Sequence, residues 1–131
     1  MIAIDTNVLV RLFVNDDVEQ TKKVRALFDS YADETQSLWV TDIVLIELVW
    51  VLKRSYDSSV SEICNALRAL ANNATVYIES YDYMFETLVL YEQGPADFAD
   101  CLLAVKASHA GCDALRTFDR KMKTLPGVRL L

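Results

Sequence analysis

Met1-Ile2-Ala3-Ile4-Asp5-Thr6-Asn7 is the stretch on which the reading of the whole chain turns. Ile2 to Ile4 is a short apolar run. It ends on a carboxylate, and Val8-Leu9-Val10 resumes the apolar pattern directly afterwards. This order predicts a buried strand that carries Asp5 to its carboxyl end, with a helix starting at once behind it. In open α/β sheets that edge is where ligands bind. Asp is also a preferred N-cap, so Asp5 taken alone reads equally well as the cap of the next helix. What shifts the balance is that the rest of the chain supplies further carboxylates in similar settings.

Composition sets the bounds. A chain of 131 residues is expected to form one domain, residues 1–131. A compact chain of that size buries roughly 70% of its unfolded surface, enough for a core without staples. Hydrophobic content of 53%, with three Gly and two Pro, argues for an ordered fold with short loops. The net charge of −6 opposes passive binding to nucleic acid, which needs a basic footprint. It does not oppose an acidic site that holds divalent cations, because bound metal reverses the local sign. Cys64, Cys101 and Cys112 form no CxxC pair, so no disulfide framework is expected. Asp5 interrupts any signal-peptide core. The longest apolar run, Ile43 to Leu52, contains Glu47 and falls short of the roughly 20 residues that span a bilayer. The expectation is a cytoplasmic protein with no membrane partner.

Working outward from Asp5, Thr6 to Phe13 reads as a short helix. Asp16 is the expected cap of a second helix reaching about Tyr31. Ser37 to Val40 reads as a strand, and Thr41 or Asp42 caps a helix to about Ser55. That helix is apolar on all sides in sequence, which predicts burial in the core or against another chain. Asp57-Ser58-Ser59 with Glu62 has the form of a capping box opening a helix to about Ala71. Thr75 to Ile78 is a third strand. Ser80 to Tyr91 is helical by period, with an aromatic and apolar stripe at Tyr81, Met84, Phe85, Leu88 and Tyr91 expected in the core. Gly94-Pro95 breaks the chain. A helix follows from about Ala96 to near Gly111, then strands at Ala114 to Arg116 and Val128 to Leu131. Strands separated by helices predict an α/β fold: a central, mainly parallel sheet of about five short strands with helices on both faces.

Four acidic placements carry the chemistry. Glu47 is the only charge between Ile43 and Leu52. If that helix is buried, the carboxylate must be neutral, metal-bound, or paired with Lys or Arg, since an unpaired buried charge costs several kcal/mol. Asp97 and Asp100 are three apart, hence on one face at a helix start. Asp119 repeats the pattern of Asp5: strand, carboxylate, helical turn. Carboxylates gathered like this repel unless cations neutralise them, and oxygen-only ligands select Mg²⁺ or Mn²⁺. The lone histidine, His109, sits near a helix end and supports neither zinc nor triad chemistry. No Gly-rich phosphate loop is present.

The ordered set resembles the PIN domain of metal-dependent ribonucleases, most closely the VapC-type toxins of toxin–antitoxin pairs. The resemblance covers the chain: Ile4-Asp5-Thr6-Asn7-Val8-Leu9, Glu47-Leu48-Val49-Trp50-Val51-Leu52, Asp97-Phe98-Ala99-Asp100-Cys101-Leu102-Leu103-Ala104 and Thr117-Phe118-Asp119 match the family's motifs in order. It implies an endoribonuclease that uses Mg²⁺ or Mn²⁺, a homodimer, and inhibition by a small VapB-like antitoxin. It implies Asp5, Glu47, Asp100 and Asp119 as catalytic residues and metal ligands. Both Asp97 and Asp100 can fill the third acidic position; Asp100 is preferred, with Asp97 as an outer or second-metal ligand. Thr6, Asn7 and Thr117 are expected to hydrogen-bond the carboxylates or a phosphate. Arg116 and Arg120, with Lys53, Arg54, Lys121 and Lys123, are candidates for a rim on the RNA backbone. A phosphatase of the haloacid-dehalogenase kind also opens with a strand and an Asp, but it wants a second Asp two residues on, where this chain has Asn7. The other alternative is a metal-free PIN-like interaction module.

Overall fold

The computed structural model describes residues 1–131. In chain order the elements are β1 (Ile2–Ala3), α1 (Thr6–Phe13), α2 (Val18–Ser30), β2 (Leu38–Val40), α3 (Asp42–Ser55), α4 (Val60–Ala71), β3 (Val76–Ile78), α5 (Tyr81–Gln93), α6 (Phe98–His109), β4 (Leu115–Thr117), a 3-10 helix (Arg120–Thr124) and β5 (Val128–Leu130). The fold is α/β, and every strand pairing is parallel. The five strands do not form the single sheet that the sequence leads one to expect. They divide into a three-stranded sheet in the order β1-β2-β3 and a two-stranded pair, β4-β5. Apolar runs reveal where strands are; they do not state which strands pair, and strands of two or three residues offer few ladder bonds to decide it. The chain forms two compact units, Met1–Tyr81 and Asp82–Leu131. No helix is long and apolar enough to cross a membrane.

In the N-terminal unit, β1 pairs with β2 through Ile2↔Leu38 and Ala3↔Trp39, and β2 pairs with β3 through Leu38↔Val76 to Val40↔Ile78. The central strand β2 is the buried one, with Leu38 and Val40 inaccessible. β1 lies at the end of the order, and Ile2 and Ala3 are exposed. The expected buried strand is therefore an edge strand, and only Ile4, just past it, is buried. Helix α1 packs on α2 and α3, α3 on α4, and α4 on β3.

Helix starts follow local chemistry. Thr41 caps α3 by accepting from the Val44 N–H at 3.3 Å. Ser59 and Glu62 form a reciprocal capping box, with bonds of 3.0 and 3.1 Å. The cap of α2 is Asp17, which accepts from the Gln20 N–H at 3.0 Å, and not the expected Asp16. Asp16 is held elsewhere: it accepts from the Tyr56 hydroxyl at 2.7 Å and from the Arg11 guanidinium. That hydroxyl bond, with the Arg11 charge behind it, holds the Asp16 carboxyl below its usual range.

Helix α3 corrects the sequence reading most. Leu45, Leu48, Val49 and Leu52 are buried. Ile43 is 70% and Trp50 57% exposed, and Glu47 is exposed with them. The Arg54 guanidinium lies 4.8 Å from the Trp50 ring. A helix apolar on every side in sequence still buries only the side that meets its neighbours. Within this chain Glu47 keeps its water, so the expectation of burial in the core is not met, while burial against another chain is left open.

In the C-terminal unit, α5 buries Met84, Thr87, Leu88 and Tyr91, and α6 buries Phe98, Cys101, Leu102, Ala104 and Val105. Tyr91 meets Phe98 edge to face at 5.8 Å. Tyr81 and Phe85 are exposed, so the expected core stripe is buried only in part. Helix α6 ends in a Schellman motif: Cys112 N–H donates to Ala107 O and Gly111 N–H to Ser108 O, both at 3.1 Å. Gly111 has φ +83°, which an L side chain adopts with strain. The motif turns the chain into β4, which pairs with β5 through Leu115↔Val128, Arg116↔Arg129 and Thr117↔Leu130.

Candidate active site

The predicted residues fall into two groups, one within each unit. In the first, Ile4 anchors the end of β1 in the core and Asp5 follows in extended conformation (φ −83°, ψ 162°) as the N-cap of α1. Its Oδ1 accepts from the Thr6 N–H at 2.8 Å. Capping is thus real, but a carboxylate has about four lone-pair sites, and one cap bond does not exhaust it. Thr6 is 5% exposed, and its hydroxyl donates to Glu47 Oε2 at 2.7 Å. The donor that meets Glu47 is therefore a neutral hydroxyl on α1, 41 residues away in sequence. Thr6 links both carboxylates, one through its backbone and one through its side chain. Asn7 is exposed and lines a groove of about 200 Å³ with Val8, Arg11, Gln20, Lys23 and Val24.

The second group gathers at the start of α6 and the end of β4. Asp97 is the N-cap of α6 in backbone terms, with its C=O accepting from the Cys101 N–H at 3.0 Å, but its side chain makes no capping hydrogen bond. Asp100, in the first turn, is half-buried. Asp119 follows β4 and accepts from the Lys121 N–H at 2.9 Å, while its own N–H donates to the Thr117 hydroxyl at 3.0 Å. Thr117 thereby shapes the turn that presents Asp119. Burial pushes the Asp100 carboxyl above its ordinary value, and the charges of Asp97 and then Asp119 push it the same way. Perturbation of a carboxyl by desolvation plus like charges is what acidic functional sites commonly show. Arg116 donates to Leu130 O at 3.3 Å, which ties it to β5. Arg120 is exposed at the start of the 3-10 helix. Arg129, opposite Arg116, escaped the sequence reading: its outward position is legible from Val128-Arg129-Leu130, but its partner is set by register alone.

His109 closes α6 at the surface, 3.0 Å from Glu86 Oε2 and stacked at 4.8 Å on Tyr83. It belongs to neither group.

Comparison with known families matches the PIN domain over residues 2–128. The chain belongs to the PIN domain family. Among curated proteins, the VapC ribonuclease of Aquifex aeolicus (strain VF5) is 28% identical over 122 residues, which cover 93% of this chain and 90% of the relative. The matched region of the PIN domain contains both carboxylate groups.

The residues fit a hard divalent cation by their chemistry. Every donor is a carboxylate or hydroxyl oxygen, the set that Mg²⁺ and Mn²⁺ take. The mutual repulsion felt at Asp100 is a cost that a bound cation would relieve. Within each unit no three His, Cys, Asp or Glu side chains are drawn in tightly enough to enclose an ion by themselves.

Proposed function

We propose that this PIN domain is a Mg²⁺- or Mn²⁺-dependent endoribonuclease and the toxin of a VapBC-type toxin–antitoxin pair. The observation that carries the reading is the gathering of Asp97 and Asp100 at the start of α6 with Asp119 after β4, where burial and then the two like charges raise the Asp100 carboxyl. The match to a VapC ribonuclease over nearly the whole chain supports the reaction class.

In the C-terminal unit Asp100 and Asp119 would be metal ligands, with Asp97 as an outer or second-metal ligand; in the N-terminal unit Asp5 is the ligand that the family resemblance implies. When bound, a divalent ion lowers the pKa of an attacking water and offsets charge on the leaving oxygen. Glu47, fixed by the Thr6 hydroxyl, would bind the ion directly or orient the water by accepting a hydrogen bond from it. Asp5 is held in place by the cap bond to Thr6. Arg116 and Arg120 contact the RNA backbone, which positions the substrate without reading its sequence.

The same proposal places the protein in the cytoplasm as a homodimer. The exposed Ile43 and Trp50 of α3 are the apolar surface that favours self-association. A net charge of −6 favours a basic antitoxin partner. The test is incubation with a circular RNA in Mg²⁺, Mn²⁺ or chelator. Linearisation in the metals and not in chelator establishes endonucleolytic, metal-dependent cleavage. A folded protein that leaves the circle intact in both metals contradicts it and favours the metal-free interaction module.

A further inference from the structure

The mean charge of the chain hides a local reversal. Between Ala114 and Leu131, five cations stand against the single side-chain carboxylate of Asp119, in a protein of net charge −6. Two of these cations are fixed by strand register. Arg116 and Arg129 are direct partners across the parallel β4-β5 pair. Both are exposed, each between half-buried neighbours, so both side chains stand on the solvent side of the pair. Neighbouring strands lie about 4.8 Å apart, and like charges directly opposite are destabilising. An anion shared between them removes that cost. Arg116 spends one donor on Leu130 O, which holds the guanidinium near the end of β5 and leaves most of its five N–H donors.

Phe118 lies two residues beyond Arg116, at the bend that follows β4. At 82% it is the most exposed of the large apolar side chains. It immediately precedes Asp119 and is followed by Arg120 and Lys121. A protein-docking face needs contiguous apolar area; between Ala114 and Leu131 only Phe118 and Leu131 are exposed large apolar side chains, and Phe118 is the one aromatic ring among the cations. Isolated aromatics in a basic setting are the composition of surfaces that track a single strand, with bases stacking on rings and cations meeting phosphates.

We infer that Phe118, with the Arg116–Arg129 pair, forms a single-stranded RNA platform beside Asp119, in which one unpaired base stacks on Phe118 and the adjoining phosphate sits between the two guanidinium groups. This rests on the ribonuclease reading for its substrate, and it adds which side chains hold the strand beside Asp119.

The experiment measures binding of a short labelled single-stranded RNA by fluorescence anisotropy in chelator, over a salt series, with KM and kcat for cleavage in Mg²⁺ alongside. Phe118→Ala should weaken single-strand binding about 5- to 150-fold, and Phe118→Trp should restore it. Neither change should alter binding of a duplex of the same sequence. Arg129→Ala should weaken binding and reduce the salt slope by about 0.7, the value for one phosphate contact on a single strand. Circular dichroism checks that each surface variant is folded. Unchanged affinity and KM for Phe118→Ala, in a wild-type background that cuts RNA, overturns the platform and leaves the ribonuclease reading intact. Unchanged RNA affinity with loss of a dimer in light scattering overturns it too and assigns the ring to a protein contact. A wild type that binds single strands through Phe118 but never cuts supports the platform while the ribonuclease reading fails.

Discussion

The Thr6 hydroxyl donates to Glu47 Oε2 at 2.7 Å. This bond joins the first residue of α1 to the middle of α3, and it fixes the carboxylate of an exposed side chain from a buried base. It makes Thr6 a positioning residue for Glu47. Thr6→Val keeps the shape and removes the donor. Because Glu47 is open to water, the stability change should stay within about 1 kcal/mol. Cleavage should fall about 10- to 100-fold, the usual effect of losing an orienting partner in a metal site, and Thr6→Ser should recover it. Steady-state kinetics and thermal melts of the two variants check this.

Glu47→Gln should abolish most activity without loss of stability. The exposed carboxylate meets a neutral hydroxyl, so neutralising it orphans no buried cation. Melting curves in metal-free buffer are the measurement. A fall of many degrees would show that Glu47 anchors an ion pair after all.

Asp100 gives a pH dependence with a definite sign. Its folded-state carboxyl is raised by burial and by the neighbouring Asp97 and Asp119, so folding favours the protonated form. The stability this contributes is fully present below the unfolded value, near pH 4, and is lost as pH rises through the raised folded value. In chelator, therefore, Asp100→Asn should gain melting temperature relative to wild type as pH climbs from about 4 towards neutrality. Added Mg²⁺ at neutral pH should raise the wild type and not the variant. Differential scanning calorimetry across that pH range reads both effects.

Ser59→Ala removes half of the capping box on α4 and should cost about 1 kcal/mol. The kcat of RNA cleavage should not change, because Ser59 belongs to neither carboxylate group. This variant separates loss of fold from loss of site when the acidic substitutions are assayed.

The strands and helices were largely legible from the sequence because their signals are local. The turn at Asp5, the Thr41 cap and the Ser59–Glu62 box each rest on a few adjacent residues, and α1 and α3 begin and end where the pattern places them. Tertiary competition was not legible. Asp16 and Asp17 are equivalent as caps until Tyr56, 40 residues away, takes Asp16. Glu47 looked buried because its helix is apolar all round, whereas exposure depends on which neighbours α3 meets. The division of five strands into three and two, and the facing of Arg116 by Arg129, are matters of pairing that periodicity does not encode. Of the site, the capping by Asp5 and Asp119 was readable, while their role as metal ligands is an expectation that the predictions test. That Thr6 would bond a carboxylate was expected; that its hydroxyl meets Glu47, and that Asp97 and Asp119 press on Asp100, needed coordinates.

The central claim is that these carboxylates hold the cation that cuts RNA. The most direct test is the initial rate of RNA cleavage by the wild type and by Asp100→Asn as Mg²⁺ is titrated, with the fold of each checked by circular dichroism. The account predicts a saturable, Mg²⁺-dependent rate for the wild type and a loss on the order of 100-fold or more for the folded variant. Wild-type cleavage that ignores Mg²⁺, or a folded Asp100→Asn that keeps full activity, would contradict it.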